Sequence, residues 1–326
     1  MAIGRRIGLE RARFAALATI AAGIAIRSAG VVACLYLGTT LIGAGIAVGN
    51  VLPPSLVKRD LPTRVASVTG ACALMTMGSS AARVSALAVP AANAWGWQLA
   101  LGAAIVFPLL AGAAWSAQLH ARSAPASGTA EPPRGGRIWR SPLAWQVTLF
   151  MGANSVLYDV LIAWLPTMLA STGVSRSVAG SLHGVLQLAT ALPGLVLGPV
   201  VHRMKDQRLI AASLTLMMTV SLIGLVLWPA WAALWTVVFG VGCGGGFVLA
   251  LIFMGLRTDT PHEAAALSGM AQCVGYLLAS AGPALGGRMH DRVGSWNAVL
   301  EAGVVLSVFI VGMGVMAGRA RTLRSA

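Results

Sequence analysis

Apolar residues run along this chain in blocks of about 20, separated by short polar or basic stretches. Ten such blocks can be read, at 13–29, 31–56, 66–89, 97–117, 143–169, 175–201, 208–228, 230–256, 263–285 and 297–318. None is an alternating ten-residue segment of the kind that builds a membrane barrel. At a rise of 1.5 Å per residue each block can cross a hydrocarbon layer of ~30 Å, the first only just. A helix bonds every backbone N–H and C=O within its own segment, which lipid demands of a spanning element. The pattern therefore predicts an all-α membrane protein with ten transmembrane helices.

Composition agrees. Hydrophobic residues make up 57% of the 326 residues and charged residues 10%, with a mean hydropathy of +0.80. A soluble chain commonly carries about 25% charged residues. The net charge of +14 would suit a nucleic-acid partner if it were clustered, but it is spread over the loops. With the N-terminus inside, the inside loops hold Arg5, Arg6, Arg11, Arg13, Lys58, Arg59, Arg64, Arg122, Arg134, Arg137, Arg140, Arg203, Lys205, Arg208, Arg257, Arg319, Arg321 and Arg324. The outside loops hold only Arg27, Arg176, Arg288 and Arg292, and Arg83 falls inside a span. This asymmetry predicts a multi-pass protein of the plasma (inner) membrane with both termini cytoplasmic, and it accounts for the charge without a nucleic acid. The basic start followed by an apolar stretch is like a signal peptide, but another span follows it instead of a cleavage site and a soluble domain.

Enzyme signatures fail. Cys34, Cys72, Cys243 and Cys273 lie in apolar runs without metal-site spacing and read as small core residues. Gly240, Gly242 and Gly245 formally fit the dinucleotide fingerprint, but no strand precedes them. His262-Glu263 opens like a zinc-protease motif, yet position 266 is alanine. No cofactor, no metal and no catalytic group is expected.

Residues 118–142 form a basic linker rich in Pro, Gly, Ser and Ala, which divides the chain into 1–117 and 143–326. The two parts share an ordered repeat. Gly43, Gly45 and Gly49 recur as Gly240, Gly242 and Gly246. Asp60-Leu61-Pro62 recurs as Asp259-Thr260-Pro261, Thr69-Gly70 as Ser268-Gly269, Trp97 as Trp296, and Arg6 as Arg203. The offset of 197–199 positions places the start of the first copy before Met1, so roughly 55–60 residues, about two spans, are expected to be missing from a plan of six plus six helices. Four spans stand in the first part and six in the second.

Several stretches carry a family resemblance. Residues 43–60, GAGIAVGNVLPPSLVKRD, 158–166, YDVLIAWLP, and above all 264–296, AAALSGMAQCVGYLLASAGPALGGRMHDRVGSW, resemble helices four, seven and eleven of the major facilitator superfamily. Within it the chain looks like the cyanate/2-nitroimidazole transporter family. The resemblance implies a monomeric secondary transporter of a small solute, such as the anion cyanate or a related organic compound, working by alternating access, with protons as a candidate coupling ion. It aligns the chain to family helices three to twelve. One of the two helices thereby missing lines the central cavity in the family. Two alternatives stand beside transport: an inactive truncated remnant of such a carrier, and a membrane-embedded enzyme.

The polar residues inside spans are candidates for the substrate pathway, because each is costly in lipid unless partnered. Asn50 lies near the inside end of its span and bonds either a substrate or another helix. Lys58, Arg59 and Asp60 read as a solvated loop or as a salt-bridged cytoplasmic gate. Arg83 is about six residues from the outer end of its span, ~9 Å deep, and either snorkels or attracts an anion. Asp159, next to the motif residue Tyr158, pairs with Arg83 or titrates in proton coupling. His183 and Gln187, and likewise Gln272 and Tyr276, are four apart and share a helix face. Trp164 and Pro166 suit the outer interface. Glu301, Arg288, Asp291 and Arg292 read as surface charge. Gly45, Gly49, Gly240, Gly242, Gly244 and Gly246 form small-xxx-small pairs suited to close helix packing.

Overall fold

The computed structural model describes residues 9–51, 57, 61–72, 96–116 and 136–323. By backbone proximity the chain divides into two compact units, one of 1–53 with 80–133 and one of 54–79 with 134–326.

In the first unit α1 (Leu9–Arg27) and α2 (Val32–Val51) form a helical hairpin, turned at Gly30 with φ 82°. Its helices touch at glycines: a Cβ on Gly23 would stand 2.8 Å from the Gly38 carbonyl oxygen. The expected span 97–117 is two pieces, α3 (Trp97–Ala103) and α4 (Val106–Ser116). Pro108 explains the interruption, since its ring clashes with the carbonyl four residues earlier, at Ala104. Arg13 of α1 lies 4.5 Å over the Trp115 ring of α4, a cation–π contact that draws the charge onto an aromatic face.

The second unit begins, after the short α5 (Gly136–Trp139), with α6 (Pro142–Ser171), α7 (Arg176–Ala191) and α8 (Pro193–Arg203). It continues with α9 (Arg208–Leu227), α10 (Ala232–Leu256), α11 (Pro261–Val293) and α12 (Trp296–Ala317). The span expected at 175–201 is broken between α7 and α8, where Pro193 cannot donate to the carbonyl of Ala189. Helix starts follow from sequence. Ser141, Ser175 and Ser295 accept from backbone N–H groups of their first turns. Thr260 and Glu263 form a reciprocal capping box with Pro261 in the first turn, which satisfies N–H groups that have no intrahelical partner. Glu263, half of the failed zinc motif, thus has a structural duty. Gly294, at φ 73°, ends α11 in the left-handed conformation.

The core of this unit is continuous, with Phe150, Met151, Leu186, Met218, Phe239, Leu249 and Phe253 almost fully buried. α6 packs along α11 and α12, and α10 along α7 and α9. At the α6–α11 crossing, a Cβ on Gly152 would lie 2.9 Å from the Gly275 Cα. Thr219 and Ser307 join α9 to α12 through a buried 2.8 Å hydrogen bond. Residues 62–72 are helical and pack on α8, where a Cβ on Gly198 would lie 2.6 Å from the Ser67 Cα. The register of the sequence repeat recurs here. Pro62 and Pro261 each stand in the first turn of a helical segment, and Trp97 and Trp296 each open one.

Among the described residues seven segments are long and apolar enough to cross a membrane, counting α7 with α8 as one. The span expected at 66–89 is described only to residue 72.

Candidate functional site

Three helices of the second unit carry polar side chains at intervals of four, and a fourth faces them. Asn154 and Tyr158 stand on α6, His183 and Gln187 on α7, and Ser268, Gln272 and Tyr276 on α11, with Cys243 facing from α10. A spacing of four keeps each set on one helix face.

The Tyr158 hydroxyl donates to the Gln187 side-chain oxygen at 3.4 Å, linking α6 to α7. One turn away, the Asn154 amide donates to the Cys243 carbonyl at 3.1 Å, linking α6 to α10. The Asn154 side-chain oxygen has no hydrogen-bond partner and is buried. It fills the space that Gly246 leaves, since a Cβ there would stand 2.6 Å from it. Asp159 is half-buried, makes no ion pair among the described residues, and acts electrostatically on both Tyr158 and Cys243. The Nδ1 atom of His183 is buried without a hydrogen bond, as are the hydroxyls of Ser155 and Thr236. A buried polar group without a partner forgoes about 1–3 kcal/mol relative to a satisfied one, so these atoms are available to bond a ligand or water. Gln272 is buried and donates to Ser268 at 2.7 Å, whereas Tyr276 is 37% exposed.

No lysine or arginine lies in α6 or α10, and α7 has only Arg176 at its first position. The set is therefore amide, hydroxyl and imidazole, with one carboxylate. It can exchange hydrogen bonds with a small polar molecule and hold one titratable charge.

Relatives give this arrangement its context. The sequence profile of the Major Facilitator Superfamily matches residues 2–283. The chain belongs to that superfamily. Among curated relatives, a 2-nitroimidazole transporter of Escherichia coli is 51% identical over 323 residues, covering 99% of this chain and 82% of that protein. A cyanate transport protein of the same organism is 28% identical over 284 residues, covering 86% of this chain and 73% of that protein. A crystal structure of the Escherichia coli fucose:proton symporter superposes with a TM-score of 0.75 at 10% identity, covering 97% of this chain and 86% of that one. As a superfamily member the chain is an integral multi-pass membrane protein that moves small solutes and is not an enzyme.

The remaining expected residues are placed as follows. Asn50, next to last in α2, is exposed. Arg83 and the triplet Lys58, Arg59 and Asp60 lie outside the described residues. Trp164 is half-buried: its indole N–H donates to the Pro283 carbonyl at 2.8 Å and its ring lies 5.2 Å from that of Trp296. Sequence reasoning missed Asn154; Cys243, read as a small core residue, is buried in the core. The signal for Asn154 was its position four before Tyr158.

Proposed function

We propose that this chain carries a small planar organic solute of the nitroimidazole type by alternating access, with Tyr158, Gln187 and His183 hydrogen-bonding it and Asp159 coupling its movement to protons. The observation that carries the reading is the 51% identity to a 2-nitroimidazole transporter across nearly the whole chain. The chemistry of the cluster supports it. A neutral heteroaromatic ring with nitro oxygens and ring nitrogens suits amide, hydroxyl and imidazole partners. A bare anion would need a cation to offset its desolvation, and the helices of the cluster supply none at this level. Cyanate is the second reading, motivated by the relative at 28% identity, and it would depend on Arg83. In this reading Lys58, Arg59 and Asp60 gate the cytoplasmic side, Asn50, Gln272 and Tyr276 flank the path, the parts before and after 118–142 rock as bodies, and the carrier works as a monomer of the inner membrane with both termini inside.

Uptake of labelled 2-nitroimidazole and of cyanate into vesicles holding the purified chain separates these readings. We expect saturable 2-nitroimidazole flux, with KM raised about ten-fold by Tyr158→Phe or Gln187→Ala, the worth of one hydrogen bond. Asp159→Asn should abolish stimulation by a proton gradient. Cyanate flux without 2-nitroimidazole flux would transfer the reading to the anion, and flux of neither by folded protein would end it. A native flux indifferent to the gradient would remove Asp159 from coupling.

A further inference from the structure

Where α8 and α10 end and α9 begins, the second unit forms a cavity of about 220 Å³ whose wall includes Thr63, His202, Lys205, Gln207 and Arg257. Among the described residues that wall holds Lys205, Arg257 and His202 and no carboxylate. At ~30 Å³ per water, the space would hold a hydrated tetrahedral anion.

Arg257 is the buried member, 4% exposed. Its Nε donates to the Ala317 carbonyl at 2.9 Å and its Nη2 to the Gly318 carbonyl at 3.1 Å. Nη2 also donates to the Gln207 side-chain oxygen. The guanidinium carbon lies 4.8 Å over the Phe253 ring. These contacts fix the guanidinium in place, and Nη1 donates to none of the described residues. All of the acceptors are neutral. Asp206 is near enough to act on Arg257 electrostatically, but its oxygens are engaged by the Arg208 side chain at 3.0 Å and the Arg208 N–H at 2.9 Å. Burial pushes the Arg257 guanidinium down to about 10 against the favourable field of Asp206, so it is charged at neutral pH. Among the described residues this buried cation is bonded only to neutral acceptors, beside a cavity whose wall adds further positive charge, and its acidic neighbour Asp206 is already engaged by Arg208. A guanidinium edge suits the paired oxygens of a phosphate.

We propose that this cavity binds a phosphate-type anion, supplied either as free phosphate or as the headgroup of an anionic phospholipid. The anion bridges Arg257 and Lys205 and ties the 62–72 segment to the α8–α9 connection. This site is separate from the Tyr158–Gln187 cluster and stands whichever solute is carried.

The test uses the full chain, purified in neutral detergent and stripped of lipid, titrated with inorganic phosphate or with phosphatidylglycerol while thermal unfolding and native mass spectra are followed. Phosphatidylcholine is the neutral control. A variant with Lys205→Gln and His202→Gln is read at equal ionic strength, which cancels the general stabilisation that phosphate exerts by exclusion. Both residues are exposed, so the variant should fold. We expect a saturable rise in unfolding temperature and a bound mass, with affinity at least roughly ten-fold weaker in the variant. A response to phosphatidylglycerol alone assigns the site to a lipid headgroup, and a response to both probes assigns it to the free anion as well. No response from the native chain, an equal response to phosphatidylcholine, or equal affinity in the variant overturns the proposal.

Discussion

The sequence repeat sets α2 against α10, and the two helices use the same glycines differently. Gly45 and its counterpart Gly242 both admit the backbone of the preceding long helix. A Cβ on Gly45 would stand 2.8 Å from the Ala16 carbonyl of α1, and one on Gly242 would stand 2.6 Å from the Leu214 carbonyl of α9. The other pairs diverge. Gly240 meets the Ala189 Cβ at 2.6 Å and Gly246 meets Asn154, whereas Gly43 and Gly49 meet nothing within 4 Å among the described residues. The apolar window of α10 is 72% buried and that of α2 is 11% buried. The elements that close on Gly240 and Gly246 are α7 and α6. A glycine spacing thus licenses close approach, and the helices that arrive decide whether it is used.

The largest effect is expected at Gly244 of α10. A Cβ there would fall on the carbonyl oxygen, Cα and carbonyl carbon of Thr190 in α7. Backbone cannot step aside as a side chain can, so Gly244→Ala must separate two helices. Overpacking of this kind costs about 3 kcal/mol. Unfolding of purified protein in detergent should shift accordingly, or folded protein should be lost. A Gly244→Ala chain as stable as the native one would mean that α7 and α10 do not approach so closely.

A smaller, conditional effect is expected at Gly246, because its neighbour is the end of the Asn154 side chain. Gly246→Ala should cost about 1 kcal/mol by displacing the Asn154–Cys243 hydrogen bond. Asn154→Ala alone should cost a similar amount. Together they should cost clearly less than the two added, since residues in contact couple. Strict additivity in a double-mutant cycle would show that Asn154 does not occupy the space Gly246 leaves.

The same contrast shows what the sequence could disclose. Spans and starts were legible because they depend on neighbours in the chain: apolar run length, Ser and Thr caps, and the Thr260-Pro261-x-Glu263 box. The fate of prolines was less so. Pro193 ends a helix, whereas Pro166 and Pro283 sit within α6 and α11, and the Pro283 carbonyl takes a second donor from Trp164, 119 residues away. A tertiary partner 119 residues away leaves no mark on a helix's own sequence. The candidate site divides similarly. His183 with Gln187 and Gln272 were marked by their spacing of four, and Tyr158 by a family motif. The Tyr158–Gln187 and Asn154–Cys243 links join residues 29 and 89 positions apart, and no spacing rule specifies which faces of two helices meet. Asn154 was hidden for a further reason: near the acidic Asp159, a neutral amide draws no notice until its burial is known.

The smallest effect, and the one most able to break the contrast, is expected at Gly49. With nothing within 4 Å of its Cβ position among the described residues, Gly49→Ala should meet no resistance. Alanine is favoured over glycine in a helix interior by up to about 1 kcal/mol, largely through restriction of the unfolded chain. Gly49→Ala in this chain should therefore leave the unfolding temperature unchanged or raise it slightly, while Gly246→Ala lowers it. A loss at Gly49 equal to that at Gly246 would require a helix packed on α2 as α6 is packed on α10. The two copies of the repeat would then be packed alike at this position.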